Sequence, residues 1–216
     1  MIHELKRPIA TLKMCVSYMG NEQLMQDVAN RQTVIADSHL ALDSLSAYFA
    51  KLRDLTFSRA TEIPLNLSSF SLRDLLNICI GKLNPSNNKK VVVNLHPDTD
   101  ITITADKIHL INIIDNLLEN AVKYSREDVH IEIDYQEQDN DSIRISVKDN
   151  GLGISKSDSR HIFEKFYRSR AVIDKGIPGM GLGLTYVRML VEAHRGTIRI
   201  ESEQTSGSTF IIELPQ

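Results

Sequence analysis

Two glycine-punctuated segments of the chain have the composition of phosphate-binding loops. They read Asp149-Asn150-Gly151-Leu152-Gly153 and Gly179-Met180-Gly181-Leu182-Gly183-Leu184. Glycines one residue apart let backbone amides approach a polyanion, because a residue without a Cβ atom adopts positive-φ turns at little cost. The second segment lacks the strand context of dinucleotide-binding folds, and the chain has no Gly-Lys-Ser/Thr loop. The segments therefore indicate a nucleotide site of another kind.

A predicted helix over 106–124 carries polar side chains that suit the same ligand. Asn116, Asn120 and Lys123 are spaced i, i+4 and i+7, so they share one helix face. Amide oxygens can bind Mg²⁺, which usually keeps few protein ligands beside phosphate oxygens, and a lysine can bind phosphate. The alternative is the hydrated side of an ordinary amphipathic helix. Together with the glycine segments, the pattern favours a magnesium–nucleotide site.

Residues around the glycine segments extend this hypothesis. Asp149 ends a predicted strand and could accept a hydrogen bond from an exocyclic amine such as that of adenine, although Asp is also a common turn starter. The second segment precedes a helix over 182–194, whose N-terminal amides can face phosphate. Ser169–Pro178 is interpreted as a mobile lid. Its hinge would hold Phe163 and Phe166, and Arg168 could contact the terminal phosphate; core packing and a solvated arginine are the alternatives.

A histidine near the start of the chain offers a nucleophile. The imidazole of His3 titrates near pH 6.5, so a large neutral fraction at pH 7 could attack phosphorus through a ring nitrogen. Glu4 could orient the ring or accept its proton. Pro8 bends the helix just beyond, because its ring crowds the carbonyl of Glu4. The alternative is an ordinary surface histidine, and the nucleotide pattern downstream favours the nucleophile.

Two long helices must carry this histidine. Over 2–19 and 24–57, apolar residues recur at coiled-coil spacing. The first helix places them at Ile2, Leu5, Ile9, Leu12, Val16 and Met19, and the second at Val28, Ile35, Leu42, Leu45, Phe49 and Leu52. An antiparallel pair cannot bury both stripes alone, so a four-helix bundle formed by a homodimer is predicted. A hairpin packed on its own second domain is the alternative.

The rest of the chain predicts a different architecture. Ile63-Pro64-Leu65 begins a linker, so we expect a helical domain at 1–60 and a second domain at 68–216. Alternating strands and amphipathic helices in the second domain predict an α/β sandwich, with helices on one face of a largely antiparallel sheet. The fold class is therefore α+β. The predicted elements are helices 71–83, 106–124 and 182–194, and strands 91–93, 101–104, 129–135, 143–147, 197–202 and 208–214.

Composition excludes several classes of function. The net charge of −3 argues against a general nucleic-acid binder. Cys15 and Cys79 lie in apolar helical runs and are interpreted as reduced core residues. The histidines show no zinc-site spacing, and no stretch is long and apolar enough to cross a bilayer. Because the sequence begins inside a helix, we expect a cytoplasmic piece of a longer protein, with a sensing segment upstream.

In order along the chain, these motifs resemble the boxes of sensor histidine kinases of two-component systems. His3–Pro8 is similar to the phosphoacceptor box and Asp115–Ser125 to the asparagine box. The remaining boxes are matched by Asp149–Ile154, Phe163–Arg168, Gly179–Leu184 and Gly207–Phe210. The resemblance implies a dimerisation and phosphotransfer domain followed by a Bergerat-type ATP-binding domain. It also implies an anchor in the inner membrane for the full-length protein.

The resemblance further implies a role for each matched residue. His3 would accept the γ-phosphoryl group of ATP with Glu4 as helper base, and an aspartate of a response regulator would receive it next. Asn120 and Asn116 would bind Mg²⁺, Lys123 and Tyr124 would contact phosphate and base, and Asp149 would recognise adenine. The other implied nucleotide contacts are Gly151, Gly153, Arg168, Gly179, Gly181, Leu182, Gly183, Leu184 and Thr209.

Two departures from the family pattern change these expectations. Arg7 stands four residues after His3, where Thr or Asn often supports dephosphorylation of the partner, so strong phosphatase activity is not expected. Met180 stands where a small hydroxyl residue is frequent, which removes one lid contact with phosphate. Two other functions stay open. One is an ATPase of the related gyrase and chaperone group, although Asn116 replaces its glutamate base. The other is a nucleotide-sensing dimeric scaffold.

Overall fold

The computed structural model describes residues 2–21, 26–57, 63–83, 89–125, 128–139 and 141–216, with the side chains of 2–7, 43–44 and 46–57 left out. The helices are α1 (Ile2–Met19), α2 (Val28–Phe57), α3 (Leu72–Gly81), α4 (Lys107–Tyr124), α5 (Arg170–Asp174) and α6 (Gly183–Ala193). The strands are β1 (Leu67–Ser71), β2 (Lys90–His96), β3 (Thr102–Asp106), β4 (Asp128–Gln138), β5 (Ser142–Asp149), β6 (Thr197–Glu203) and β7 (Gly207–Pro215). A short 3₁₀ turn spans Asp158–Arg160.

The chain forms two compact units, one of which contains α1 and α2. These two helices pack against each other. Cys15 on α1 and Val34 and Ala41 on α2 are buried. By contrast, the residues of the predicted seams that the structure describes are largely exposed, among them Val16 (67%) and Ile35 (48%). The contact between the helices therefore uses a stripe next to the predicted seams and leaves those seams uncovered.

The second unit is an α+β domain with two sheets. The larger sheet has the order β2-β4-β5-β7-β6, and the smaller one pairs β1 with β3. All neighbouring strands are antiparallel except β2 and β4, which are parallel. Strands β4 and β5 alternate buried apolar and exposed polar residues, as a sheet with one covered face requires. The predicted sandwich class is confirmed, whereas β1 was not predicted.

Helices α3, α4 and α6 supply the other half of this core. Ser71 caps α3, because its hydroxyl accepts a hydrogen bond from the Asp74 amide at 3.0 Å. Helices α4 and α6 contact each other, and both turn an apolar face inward. Cys79 is buried and reduced, as predicted, and burial raises the pKa of its thiol to about 12. In the described parts of the chain, no helix is sufficiently long and apolar to span a membrane.

Candidate nucleotide site

Helix α4 presents Asn116, one of the two asparagines predicted to bind Mg²⁺, to the interior of the domain. The helix is fixed at its start by Asp106, whose carboxylate accepts a hydrogen bond from the His109 amide at 3.0 Å. Asn116 is only 7% exposed, and Asn120 is half-buried. The Asn116 side-chain amide donates to the Asn112 carbonyl at 2.7 Å, which fixes the direction of its oxygen. Asn116 is therefore not on the hydrated side of an ordinary amphipathic helix.

The start of α6 faces this asparagine. A Cβ atom built at Gly183 would lie 3.1 Å from the Asn116 side-chain oxygen, so a larger side chain would fit only if that oxygen moved by a few tenths of an ångström. Leu182, which precedes the helix, supplies no side-chain cap, and the first turn contains no acidic residue. Its N-terminal amides thus present the positive end of the helix dipole. An anion bound there would be held close to the amide oxygen of Asn116.

Two buried hydroxyls lie next to these elements without an observed partner. Among the described residues, the hydroxyls of Thr185 and Ser125 have no hydrogen-bond partner. Thr185 is in the first turn of α6, and Ser125 directly follows α4. Buried polar groups are nearly always hydrogen-bonded, so orphaned ones indicate water or ligand. Amide and hydroxyl oxygens are suitable ligands for a hydrated Mg²⁺ ion, and the helix amides can donate hydrogen bonds to phosphate oxygens.

The first glycine segment is attached to the last turn of α4. The Leu152 amide donates to the Tyr124 carbonyl at 3.1 Å. A Cβ atom at Gly151 would lie 3.0 Å from the same carbonyl oxygen, so glycine permits this close approach. The ammonium group of Lys123 lies over the ring of Tyr124, 5.4 Å from its centroid. Lys123 and Tyr124 are thus brought next to the segment that follows Asp149.

Asp149 occupies the end of β5. Its carboxylate accepts a hydrogen bond from the Gly151 amide at 2.7 Å. Burial raises the pKa of Asp149, while hydrogen bonds from the Gly151 and Ser208 amides act in the opposite direction. Ser208 lies opposite Asp149 in the ladder between β5 and β7, and Thr209 is the next residue along β7. The structure therefore brings Asp149, Gly151 and Thr209 to one end of the sheet.

Three motif glycines are required by protein packing. At Gly153 (φ 65°), a Cβ atom would stand 2.0 Å from the Glu203 carbonyl oxygen, and at Gly181 (φ 69°) it would stand 2.5 Å from that of Tyr167. At Gly207 (φ 90°), the Asp149 carbonyl oxygen would be 1.9 Å away. These distances exclude any side chain, and the positive φ values add strain. Gly153 and Gly181 were predicted only as nucleotide contacts, and the structure gives each a packing role.

The segment that precedes α6 is tied together at its base. The Phe166 amide donates to the Gly181 carbonyl at 2.9 Å, and the guanidinium of Arg168 donates to the Ile177 carbonyl. Phe166 has a positive φ of 67° and is half exposed, so it is not a core residue. The predicted lid contains the short helix α5, which the sequence did not predict. Within the domain, Arg168 closes the lid loop, whereas its contact with phosphate stays a prediction.

Several positions complete the comparison with the sequence. Gly179 lies in the loop before α6, Leu182 is buried at the start of the helix, and Leu184 is half-buried in its first turn. His3 and Glu4 lie within α1, but their side chains are outside the described residues. In the described chain, no cluster of three or more His, Cys, Asp or Glu side chains could hold a metal ion. A magnesium site would therefore depend on amide and phosphate oxygens.

Sequence reasoning missed two residues that hold these segments in place. The side chain of Asn150 accepts a hydrogen bond from the His130 amide at 3.0 Å and donates to the Asp128 carbonyl at 2.9 Å. It thereby extends the pairing of β4 at the turn of the first glycine segment. Lys89 bonds two carbonyls at the end of α4. The Asp-Asn-Gly sequence is typical of a turn and indicates a turn role for Asn150. The residues around Lys89 do not indicate that its side chain reaches α4.

A family model confirms the nature of this domain. The model described as histidine kinase-, DNA gyrase B-, and HSP90-like ATPase matches residues 105–216, which hold α4, the glycine segments and β7. The chain belongs to this family. ATP binding by the domain follows from this membership, and the family match covers the site assembled by α4, α6 and the end of β5.

Known proteins confirm the resemblance to sensor histidine kinases. The chain is 30% identical to the sensor protein RprX of Bacteroides fragilis, over the whole chain and 42% of that protein. It is 29% identical to the sensor histidine kinase GacS of Pseudomonas protegens, over 99% of the chain and 24% of that protein. The crystal structure of full-length ShkA in complex with AMPPNP superposes with a TM-score of 0.71 at 26% identity, covering 99% of this chain and 44% of ShkA. The chain thus spans less than half of these relatives.

Proposed function

We propose that the chain is the kinase core of a two-component sensor histidine kinase. It uses ATP to phosphorylate its own His3 and then passes the phosphoryl group to an aspartate of a response regulator. The observation that carries the proposal is the close approach of the buried Asn116 oxygen to Gly183 at the start of α6. This arrangement supports a site for the magnesium-bound phosphates of ATP. The relatives that match nearly the whole chain are named as sensors and sensor kinases.

In the proposed site, each residue contacts a different part of magnesium-ATP. Asn120 and Asn116 hold Mg²⁺, which neutralises charge on the phosphates when it is bound. Lys123 and the amides at the start of α6 bind phosphate oxygens, and Tyr124 borders the base. Asp149 accepts a hydrogen bond from the amino group of adenine, with Thr209 beside it. Gly151 supplies backbone close to the nucleotide. Arg168, Gly179 and Gly181 contact the phosphates, and the lid at Ser169–Pro178 covers them.

The proposed reaction is an in-line phosphoryl transfer. A neutral ring nitrogen of His3 forms a bond to the γ-phosphorus, and the bond from that phosphorus to the bridging oxygen breaks to leave ADP. Glu4 accepts the ring proton. The phosphohistidine then donates the group to a carboxylate oxygen of the response regulator, and the imidazole is regenerated. Because an amide at Asn116 is a poor general base, this site favours transfer over attack by water.

We also propose that two copies of the chain form a four-helix bundle from α1 and α2. The contact between α1 and α2 leaves Val16, Ile35 and Leu42 about half exposed or more. A continuous apolar stripe is rarely left in water by a monomer. A second copy would cover both stripes at the spacing that the sequence predicted. A sensing segment and a membrane anchor, expected upstream, belong to the same proposal for the whole protein.

Labelling with γ-³²P ATP and Mg²⁺ tests the kinase activity. We expect label on the protein that acid removes and alkali does not, as a phosphoramidate requires. His3→Ala should abolish it, whereas His39→Ala, a change at an exposed histidine of α2, should leave it intact. Addition of receiver domains should then move the label to one of them.

The remaining outcomes separate the other functions. Release of inorganic phosphate without labelled protein would assign the chain to the ATP-hydrolysing members of its family. Nucleotide binding with neither product would indicate a scaffold that senses ATP. Label that survives in His3→Ala would contradict the assignment of the phosphoacceptor.

A further inference from the structure

Helix α4 ends without the left-handed backbone cap that is common at helix C-termini. Its last residue, Tyr124, is followed by Ser125 in an extended conformation, with φ −86° and ψ 162°. In such a cap, a glycine or asparagine in the left-handed region directs backbone amides to the last carbonyls. The carbonyls of a final helical turn have no partner inside the helix. Those of α4 must therefore find donors elsewhere in the domain.

Lys89 supplies these donors from a distant part of the chain. Its ammonium group donates to the Val122 carbonyl at 2.6 Å and to the Ser125 carbonyl at 2.7 Å. Lys89 is half-buried and immediately precedes β2. Its positive charge lies at the negative end of the α4 dipole, and bonds from a charged donor are the stronger kind. The side chain thus takes the place of a helix cap.

The turn that Lys89 holds is a wall of the nucleotide site. It contains Lys123 and Tyr124, and the Tyr124 carbonyl accepts the hydrogen bond from the Leu152 amide at 3.1 Å. The first glycine segment is therefore attached to the same turn, next to the carboxylate of Asp149. A shift of this turn would move the phosphate-binding lysine and the adenine-binding segment together.

We infer that Lys89 is a positioning residue for the nucleotide, acting through the carbonyls of Val122 and Ser125. The inference rests on the proposed nucleotide site. Loss of the ammonium group should weaken ATP binding, because the last turn of α4 would lose two donors and a favourable charge. The phosphoryl-transfer step, once ATP is bound, should change little.

Binding of trinitrophenyl-ATP with Mg²⁺, followed by fluorescence on the whole chain, tests this role. Lys89→Met keeps the length of the apolar stem but removes the donors. We expect its Kd to rise about tenfold, roughly the effect of losing one hydrogen bond from a charged donor. The KM for ATP in the labelling of His3 should rise in parallel, and the rate at saturating ATP should stay within about twofold of the original chain. Lys90→Met, a change at the exposed next residue, is the matched control.

Graded substitutions keep the test decisive. Lys89→Arg retains a charged donor and should recover most of the affinity, and Lys89→Gln should fall between Arg and Met. If Lys89→Met does not fold, the higher affinity expected of Lys89→Arg than of Lys89→Gln still tests the inference. A lower Tm in the Lys89 variants with unchanged Kd and KM would overturn the inference, and so would equal affinity in all of them. Failure of the original chain to bind the probe would instead contradict the proposed nucleotide site, and the inference with it.

Discussion

The side-chain oxygen of Asn116 lies 3.1 Å from the place where a Cβ atom would stand at Gly183. The two residues belong to α4 and α6, which contact each other across the core. Gly183 has helical geometry, so glycine is not needed there for an unusual backbone conformation. Its lack of a side chain instead allows the close approach of the Asn116 oxygen. In the proposed site, a metal ion on the amide and a phosphate at the helix start would meet at this point.

Gly183→Ala should weaken binding of magnesium-ATP without harming the fold. The added methyl group would push the Asn116 oxygen by a few tenths of an ångström, while alanine favours a helix more than glycine does. We expect a loss in ATP affinity of roughly five- to tenfold and a Tm that is unchanged or slightly higher. Isothermal titration calorimetry and thermal melts measure the two effects.

Gly81→Ala is the matched control for that variant. Gly81 is the last residue of α3, and a Cβ atom there would meet nothing within 4 Å. The control should bind ATP normally. Equal affinity in both variants would show that the space between Gly183 and Asn116 is not part of the nucleotide site.

Tyr167→Phe should destabilise the domain in a pH-dependent way. The Tyr167 hydroxyl donates to the Asp158 carboxylate at 2.6 Å, and hydrogen bonds from Ser155 and Tyr167 hold the pKa of Asp158 below its ordinary 3.8. A depressed pKa means that the carboxylate contributes stability above the unfolded value and loses it as the pH falls through the folded value. We expect a loss of about 1 kcal/mol at pH 7. The difference from the original chain should shrink below about pH 3.8.

Urea denaturation at pH 7 and pH 3 measures this dependence. Tyr18→Phe, a change at an exposed tyrosine of α1, should have no comparable effect at either pH. A difference between Tyr167→Phe and the original chain that stays constant across this range would mean that the bond to Asp158 does not stabilise the domain.

The sequence predicted the elements that local patterns specify. The helix over 106–124 is observed as Lys107–Tyr124, and the strands at 129–135 and 143–147 form the central hairpin of the larger sheet. Alternation and helix periodicity are local properties, so these elements could be read from neighbouring residues. The motif residues of the ATP-binding domain were found for the same reason, since each lies within a short segment.

What escaped prediction depends on partners far apart in the chain. Strand β2 pairs in parallel with β4, and β1 pairs with β3 in the small sheet. The sequence pattern of each strand does not indicate which other strand it pairs with. The packing role of Gly153 depends on the carbonyl of Glu203, which is contributed by β6. Lys89 reaches α4 in the same way. Such contacts arise from the tertiary fold, so the sequence pattern around each residue does not predict them.

Val16→Glu should convert the predicted dimer into a monomer. Val16 is 67% exposed on α1 although it belongs to the predicted apolar stripe. A bundle of two copies would bury it twice, and two buried carboxylates without partners would cost several kcal/mol. Sedimentation velocity should show a mass near 49 kDa, twice 24.4 kDa, for the original chain and 24.4 kDa for the variant.

Ser17→Glu adds the same charge one residue away, outside the stripe, and should stay dimeric. A monomeric original chain, or a variant that dimerises equally well, would contradict the four-helix bundle.

Asp149→Asn should remove the preference for adenine. The carboxylate is held at the end of β5 by the Gly151 amide at 2.7 Å, and in the proposed site it accepts a further hydrogen bond from the base. A side-chain amide can turn either its oxygen or its NH₂ group toward the base, and a hydrogen bond to a charged acceptor is lost in both cases. Such bonds contribute about 1.5–3 kcal/mol, so ATP affinity should fall by roughly 10- to 150-fold. Affinity for GTP, which lacks the amino group at that position, should change little.

Competition of ATP and GTP against a fluorescent nucleotide measures both affinities in one series. Asp134→Asn, a change at an exposed carboxylate of the neighbouring strand β4, controls for the loss of charge. Because burial raises the pKa of Asp149, its charged form weakens the folded state at neutral pH. Loss of ATP binding in Asp149→Asn should therefore not be accompanied by a large fall in Tm. Parallel losses for ATP and GTP would mean that Asp149 supports the pocket as a whole and does not select the base.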